Sequence, residues 1–336
     1  MSPGVSSAGC TADPDAMIQT RFTALVGCSV PLQQAGMGNA RRELAAAVSG
    51  AGGLGMLGGV MQPATLLADE VEAARHESGG PIGVNFLIPF VDLEAVEATA
   101  ERARVVEFFY GDPDQELVKT VRSEGALAAW QIGSGDEARA AEQAGCDFVI
   151  AQGVEAGGHV RGQTGLLPLL DEVLDAVEVP VVAAGGIGTE RGMAAALAAG
   201  ADAVRVGTRF LAAEEADVHP AYAEALVEAG PEDTILTEAF STMWPNAPHR
   251  VLRSCVAAAE AIDGEYVGEI EHAGHRQPVP RLSPPAPGRA ATGRIDAMAL
   301  YAGQSVGAVQ RLQPAATIVR DLAQGAERLL RRWGNS

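Results

Sequence analysis

One glycine-rich segment, residues 147–162, carries the side chain best suited to proton chemistry. Within it, an apolar run at 148–151 is typical of a strand that flanking helices bury on both faces. The run gives way to a polar stretch that ends in Gly157, Gly158 and His159. In parallel α/β folds, ligands bind at the carboxyl ends of the strands, and glycines let a flat ligand approach the backbone. His159 is therefore a candidate acid or base, although a solvated histidine in a tight loop would also fit this segment taken alone.

Two further glycine motifs stand at the ends of later apolar runs, AAGGIG at 183–188 and VGT at 206–208. In parallel α/β barrels, the loops after the seventh and eighth strands bind phosphate through backbone N–H groups. The phosphate candidates are Gly185, Gly186, Gly207 and Thr208, whose hydroxyl would add a donor. Glycines that only form tight turns are the alternative interpretation.

Three amide side chains follow apolar runs in the same way. Asn85, Gln131 and Gln152 each end a predicted strand, and an amide both donates and accepts hydrogen bonds. One buried amide alone would favour a structural role. Three amides at one end of a barrel, together with a phosphate site, indicate a planar phosphorylated ring system such as FMN.

The elements that must position these residues alternate along the chain. Short apolar runs alternate with Ala-rich helical stretches, and the eight runs lie at 30–35, 54–57, 82–87, 105–110, 127–132, 148–151, 179–184 and 203–210. Thr189 precedes one helical stretch, and Gly145 and Gly200 end two others, as helix caps do. Eight strand-helix units predict an α/β fold, a (β/α)8 TIM barrel with a small inserted lobe after strand 8. A doubly wound open sheet is the second choice.

The alternation stops after Phe210 and predicts three parts. The barrel is expected to comprise residues 18–213 and 291–336, with a small substrate-side lobe at 214–290 and a disordered tail at 1–17. Within these parts we expect helices at 214–230 and 295–300, and a closing amphipathic helix at 315–333 that packs back on the barrel. Further polar candidates are His249, Arg250, Tyr301 and Gln304; a salt bridge that ties the lobe to the barrel is the favoured role of Arg250.

Composition excludes several function classes. With 336 residues and a formal net charge of −19, the chain is not expected to bind nucleic acid or an anionic membrane, since both need clustered Lys and Arg. No apolar stretch of membrane-spanning length runs uninterrupted. The four cysteines are scattered and show no metal-ligand spacing, so we expect no metal, reduced thiols and a cytoplasmic location.

Several segments together resemble the nitronate monooxygenase family, formerly called 2-nitropropane dioxygenases. They are PLQQAGMGN, LAAAVSGAGGLGMLGG, GVNF, IAQGVEAGGH, PVVAAGGI and VGTRFLA. The resemblance covers residues 29–213 and resumes at YAGQ near the carboxyl terminus. It implies an FMN-binding barrel and places His159 at the family's catalytic base.

The resemblance also implies the cofactor contacts. FMN would contact Asn85, Gln152, Gly157, Gly186, Arg205, Val206, Gly207 and Thr208, with Ala35, Gly36 and Met37 beside its isoalloxazine ring. Gln131, Gly158 and Gly185 complete the predicted site. The chain departs from the family at three points: the family often has proline at Gly36 and glutamine or a similar residue at Arg205, and Val160 is inserted before the usual Arg-Gly pair.

The activity implied by the resemblance is the oxidation of an alkyl nitronate by O2 to a carbonyl compound and nitrite. His159 would either take the α-proton of a neutral nitroalkane near its ordinary pKa or, as an imidazolium, hold the anionic nitronate. The expected partners are a small-molecule nitronate and O2, with a homodimer as one option for assembly. Two alternatives stay open: an FMN-dependent NAD(P)H reductase of enoyl thioesters or quinones, and a barrel that binds FMN only as a sensor or scaffold.

Overall fold

Eight parallel strands close into a barrel at the centre of the molecule. The computed structural model describes residues 18–272 and 274–334, so the predicted tail at 1–17 lies outside the described residues. The fourteen strands that the described residues form are β1 Leu32–Gln34, β2 Gly55–Gly58, β3 Ile82–Leu87, β4 Val105–Phe109, β5 Leu127–Ile132, β6 Phe148–Gln152, β7 Gly158–His159, β8 Val181–Ala184, β9 Ala203–Val206, β10 Thr234–Thr237, β11 His249–Leu252, β12 Tyr266–His272, β13 His275–Pro280 and β14 Thr292–Gly293. The barrel strands are β1–β6, β8 and β9.

The barrel order is β1-β9-β8-β6-β5-β4-β3-β2, and a parallel bridge between Gln33 and Leu54 joins the two ends of this row. The predicted (β/α)8 barrel is therefore confirmed. The helices are α1 Arg21–Val26, α2 Arg42–Gly50, α3 Ala64–Ser78, α4 Leu93–Ala100, α5 Gln115–Ser123, α6 Gly135–Ala144, α7 Leu166–Leu174, α8 Glu190–Ala198, α9 Thr208–Leu211, α10 Pro220–Glu228, α11 Arg253–Glu260 and α12 Ala315–Gly334.

Helix signals in the sequence match several observed ends. The Thr189 side chain caps α8 by accepting from the N–H of Gly192 at 3.2 Å, and Gly145 ends α6 in the left-handed region with φ 97°. The closing helix α12 packs against α8 and α2 and so takes the place of an eighth outer helix. Its predicted return to the barrel is confirmed.

Three predicted elements are shorter than expected. The eighth barrel strand ends at Val206 and the chain turns into α9, because Gly207 interrupts the extended backbone. Helix α10 begins only at Pro220, where the proline suits the first helical turn and the His219 side chain caps the Ala221 N–H at 3.1 Å. Only a 3₁₀ turn, Ile295–Ala297, forms within the helix predicted at 295–300.

Helix α1 closes the amino-terminal end of the barrel. Arg21 binds the carboxylate of Asp202, which directly precedes β9, and Arg104, which directly precedes β4, donates to the carbonyl of Val26 at 3.0 Å. Phe22 and Val26 pack against side chains that alternate inward along the strands, namely Leu54, Met56, Val105, Ala129, Phe148, Ile150, Val182, Ala184 and Ala203. This end of the interior is apolar and filled, which leaves the carboxyl end for a ligand.

The segment after β9, residues 207–293, supplies most strands of two small antiparallel sheets, and we call it the added segment. One has the order β13-β12-β14. The other has the order β10-β11-β7, and β7 comes from the loop after β6. The added segment is thus joined directly to the glycine-rich loop that carries His159.

Among the described residues, no helix combines the length and the apolar character needed to cross a membrane.

Candidate active site

A cavity of about 1060 Å³ opens at the carboxyl end of the barrel. The site residues predicted from the sequence that line it are Ala35, Gly36, Met37, Asn85, Gln131, Gln152, Gly157, Gly158, His159, Gly185, Gly186, Arg205, Gly207 and Thr208. Val206 is the exception: its side chain is fully buried in the core between the barrel and its outer helices, and its carbonyl accepts from the N–H of Ala35 at 2.9 Å. Adjacent residues of a strand face opposite sides, so Arg205 and Val206 cannot both face the cavity.

The backbone around His159 is held by the small β7–β11 sheet. His159 pairs with His249 across the two strands, and the N–H of Val160 donates to the carbonyl of Pro248 at 2.9 Å. On the other side, the Gln152 amide nitrogen donates to the His159 carbonyl at 3.0 Å. These hydrogen bonds therefore hold the backbone that carries the imidazole from both sides.

Four rings enclose the His159 imidazole. Trp244 stacks on it with ring centroids 4.1 Å apart and an interplanar angle of 28°. His249 lies at 5.3 Å, and Tyr110 and Tyr301 both lie at 5.7 Å, between ring centroids. These rings exclude water from most of the imidazole surface.

The enclosure keeps His159 neutral at pH 7. Burial, and to a smaller extent the neighbouring His249, lowers the pKa of His159 from 6.5 to about 3. The expectation of a base near its ordinary pKa is therefore wrong. Nε2 of this imidazole is fully enclosed and has no hydrogen-bond partner among the described residues. A buried polar atom without a partner at the wall of a cavity points to a ligand that supplies one.

His249 supports the site without competing for the ligand. Its Nε2 accepts from the N–H of Phe240 at 3.2 Å, so its Nδ1, 2.8 Å from the carbonyl of Ala247, carries the proton. Burial lowers the pKa of His249, which favours this neutral form. Tyr301 is likewise engaged, since its hydroxyl donates to the carbonyl of Pro284 at 2.8 Å.

Arg250 of β11 joins the added segment to the loop after β6, and within the described residues it does so by hydrogen bonds instead of the predicted salt bridge. Its Nη2 and Nε donate to the carbonyl of Val154 at 2.9 and 3.3 Å, and its Nη1 lies 3.4 Å from the Thr234 hydroxyl. A backbone carbonyl accepts the charge-assisted hydrogen bonds that a carboxylate was expected to accept.

The loops after β8 and β9 present free backbone donors to the cavity. Within the described part of the chain, the N–H groups of Gly185, Gly186, Gly207 and Thr208 have no hydrogen-bond acceptor. Gly185 and Gly186 have φ of 103° and 68°, a conformation that glycine adopts at little cost. The Thr208 hydroxyl accepts from the N–H of Gly303 at 2.9 Å, which leaves its own hydrogen available. Clustered free N–H groups next to glycines form an anion site of the kind that binds phosphate.

Glu107 is a site residue that the sequence analysis missed. It lies on β4, is fully buried, and its carboxylate pairs with the Arg205 guanidinium at 2.5 Å. Asn85 also donates to it, at 2.8 Å. The signal available in the sequence was one acidic residue inside the apolar run VVEFFY.

Removal of Trp244 should raise the pKa of His159. Burial is the main cause of the lowered pKa, so Trp244→Ala, which lets water reach the stacked imidazole, should move that pKa from about 3 toward 6.5. An NMR titration of ¹³C-histidine-labelled protein measures it. Trp244→Phe, which keeps an aromatic ring in place, should shift the pKa less; an unchanged pKa in Trp244→Ala would show that the stacked ring does not control it.

Comparison with known proteins identifies the family. The family model described as nitronate monooxygenase matches residues 19–100 and 91–325. A (3aS,4S,5R,7aS)-5-hydroxy-7a-methyl-1-oxo-octahydro-1H-indene-4-carboxyl-CoA dehydrogenase of Rhodococcus jostii is 35% identical over 260 residues, 77% of this chain and 69% of that protein.

Two solved structures are similar over nearly the whole chain. FabK of Thermotoga maritima has a TM-score of 0.79 at 32% identity, covering 95% of this chain and 99% of that one. A nitroalkane oxidase of Streptomyces ansochromogenes has a TM-score of 0.73 at 31% identity, covering 94% and 99%. These findings agree with the resemblance seen in the sequence motifs. The chain belongs to the nitronate monooxygenase family and is an oxidoreductase for which the family implies a flavin cofactor.

Proposed function

We propose that the protein binds FMN and oxidises alkyl nitronates with O2 to a carbonyl compound and nitrite. The observation that carries this proposal is the state of His159, a neutral imidazole at the wall of the cavity. Its enclosed Nε2 has no hydrogen-bond partner among the described residues. Family membership supports an oxidoreductase, and the enclosure of the imidazole favours a small substrate held away from water.

The residues present fit FMN. The free N–H groups of Gly185, Gly186, Gly207 and Thr208 would hold its phosphate, and the amides at Asn85, Gln131 and Gln152 would lie along its ring. Gln152 Oε1 is fully buried and has no partner among the described residues, so a ring N–H would satisfy it. When bound, FMN supplies the electron transfer, and the protein supplies position and electrostatics.

His159 would act on the substrate as a neutral group. A pKa of about 3 leaves the imidazole uncharged at pH 7, so it would hold a nitronate oxygen by donating an N–H rather than as an imidazolium. The neutral imidazole would also accept the α-proton of a neutral nitroalkane, but its low pKa makes it a weak base for that step. We therefore propose that preformed nitronates are the preferred substrates. Trp244 and Tyr110 would keep water away from the reacting atoms.

An NAD(P)H-dependent reductase is the second candidate, and the extent of the cavity favours it. The cavity reaches past the barrel mouth to Met61 and Leu66, which are 57% and 52% exposed, and to the β12–β13 hairpin at Ile270. An extended apolar wall suits a larger substrate than a short alkyl nitronate. The Rhodococcus relative is, by its name, a dehydrogenase of a bulky carboxyl-CoA compound.

Anaerobic mixing separates the two candidates. The yellow holoprotein is mixed with an alkyl nitronate in one cell and with NADH or NADPH in another, and absorbance of the flavin is followed. Loss of colour with the nitronate alone, and nitrite once air is admitted, is the expected result. Loss of colour only with the nicotinamide would overturn the proposal in favour of the reductase, and a purified protein that takes up no FMN would overturn both.

A further inference from the structure

One polar layer crosses the otherwise apolar barrel interior directly beneath the cavity. Inward-facing residues alternate along the strands, so Glu107 follows the inward Val105 on β4 and Arg205 follows the inward Ala203 on β9. In the closed strand order, β4 and β9 stand on opposite sides of the barrel. Their ion pair therefore spans the interior, and Arg205 is at once half of this pair and part of the cavity wall.

The Glu107 carboxylate is the centre of this layer. Its Oε1 accepts from Arg205 Nη1 at 2.5 Å and from Asn85 Nδ2 at 2.8 Å, and its Oε2 accepts from Gln33 Nε2 at 2.6 Å. Strand register places Gln33 beside Arg205 and Asn85 beside Glu107. All four side chains belong to residues that are at most 7% exposed. One carboxylate thus fixes two groups of the cavity wall, Asn85 and Arg205.

Stability alone does not account for a buried ion pair at this place. Taking two charges out of water costs about as much as their attraction returns, and apolar residues of similar volume stabilise such a position equally well or better. The layer below is filled in that apolar way. The charge pair lies where the barrel interior meets the cavity, so its electrostatic potential acts on a ligand bound there.

We propose that Glu107 is a positioning residue that sets the electrostatic potential at the cavity floor. It holds the Arg205 guanidinium in one orientation and cancels its positive charge, so that a bound ring system lies over a fixed but nearly neutral pair. This inference rests on the proposed FMN cofactor, because charge close to a flavin ring tunes its electron affinity. It does not depend on which substrate the enzyme oxidises.

The test is a change of charge at nearly constant shape, Glu107→Gln. Gln33 Oε1 is buried and has no partner among the described residues. Rotation of the Gln33 amide would therefore let that oxygen accept from the amide introduced at position 107, and the network would keep its hydrogen bonds. The Arg205 charge is then uncompensated and favours reduced flavin. At a fixed potential set by a redox dye, the ratio of reduced to oxidised flavin should rise at least tenfold, about 30 mV for a two-electron couple.

The matched control removes both charges. In the double variant Glu107→Gln with Arg205→Gln, the ratio should return to within about threefold of the wild-type value, whatever the melting temperature of each apoprotein. A merely structural role would change those melting temperatures and leave the ratio unmoved. A Glu107→Gln holoprotein with a wild-type ratio, or a double variant that keeps the full shift, would overturn this inference. Absence of nitronate oxidation would overturn only the proposed function.

Discussion

Replacement of His159 by asparagine should lower the turnover of neutral nitroalkanes by about 10²-fold, the lower end of the usual contribution of a positioned acid or base, because a pKa of about 3 makes the imidazole a weak base. Turnover of preformed nitronates should fall by less than about tenfold, because the asparagine amide still donates one hydrogen bond to the anion. The difference arises because only a neutral nitroalkane must lose its α-proton before oxidation. The measurement is kcat/KM for one nitro compound supplied in both forms.

Bound FMN serves as the internal control for this variant. The proposed phosphate donors are backbone N–H groups of the loops after β8 and β9, and the backbone pairing of β7 with β11 does not depend on the imidazole, so the variant should retain its flavin. Equal losses on the neutral and anionic substrates would show that His159 binds the anion and takes no proton. Undiminished turnover of both would remove His159 from the reaction.

The barrel could be predicted from the sequence because each of its units repeats one local pattern. Short apolar runs such as 148–151 end in polar residues and are followed by helices with capping residues. In the structure these runs are buried strands of the barrel, as the pattern predicts. The position of the glycine motifs at the cavity could be predicted for the same reason, because the carboxyl ends of the strands and the loops after them lie on one face of a parallel barrel.

The surroundings of His159 could not be predicted because they come from distant parts of the chain. Trp244 and His249 reach the imidazole only because β11 pairs with β7, and no local pattern indicates an antiparallel pairing between segments so far apart. The lowered pKa of His159 follows from that enclosure, so it could not be predicted from the sequence either. The partner of Glu107 likewise depends on closure of the barrel, which brings β4 opposite β9.

The filled amino-terminal end of the barrel leads to the largest expected change in stability. Phe22 of α1 is fully buried and meets Phe148 edge-on, with ring centroids 5.4 Å apart. Phe22→Ala should lower the free energy of unfolding by about 3–5 kcal/mol, because it removes a large apolar side chain and leaves a cavity that rigid strands cannot close. The urea dependence of unfolding, followed by circular dichroism, measures this loss.

Phe22→Leu is the matched variant, and it separates packing from an effect on the site. It keeps most of the apolar volume and should cost less than about 1.5 kcal/mol. Because Phe22 lies at the opposite end of the barrel from the cavity, both variants should bind FMN as the wild type does at temperatures where they are folded. A loss below about 1 kcal/mol in Phe22→Ala, well short of the usual range for such a truncation, would mean that α1 does not seal the barrel. Weakened FMN binding in a folded Phe22→Leu protein would mean that the two ends of the barrel are coupled through the interior rather than separated by the layer of Glu107 and Arg205.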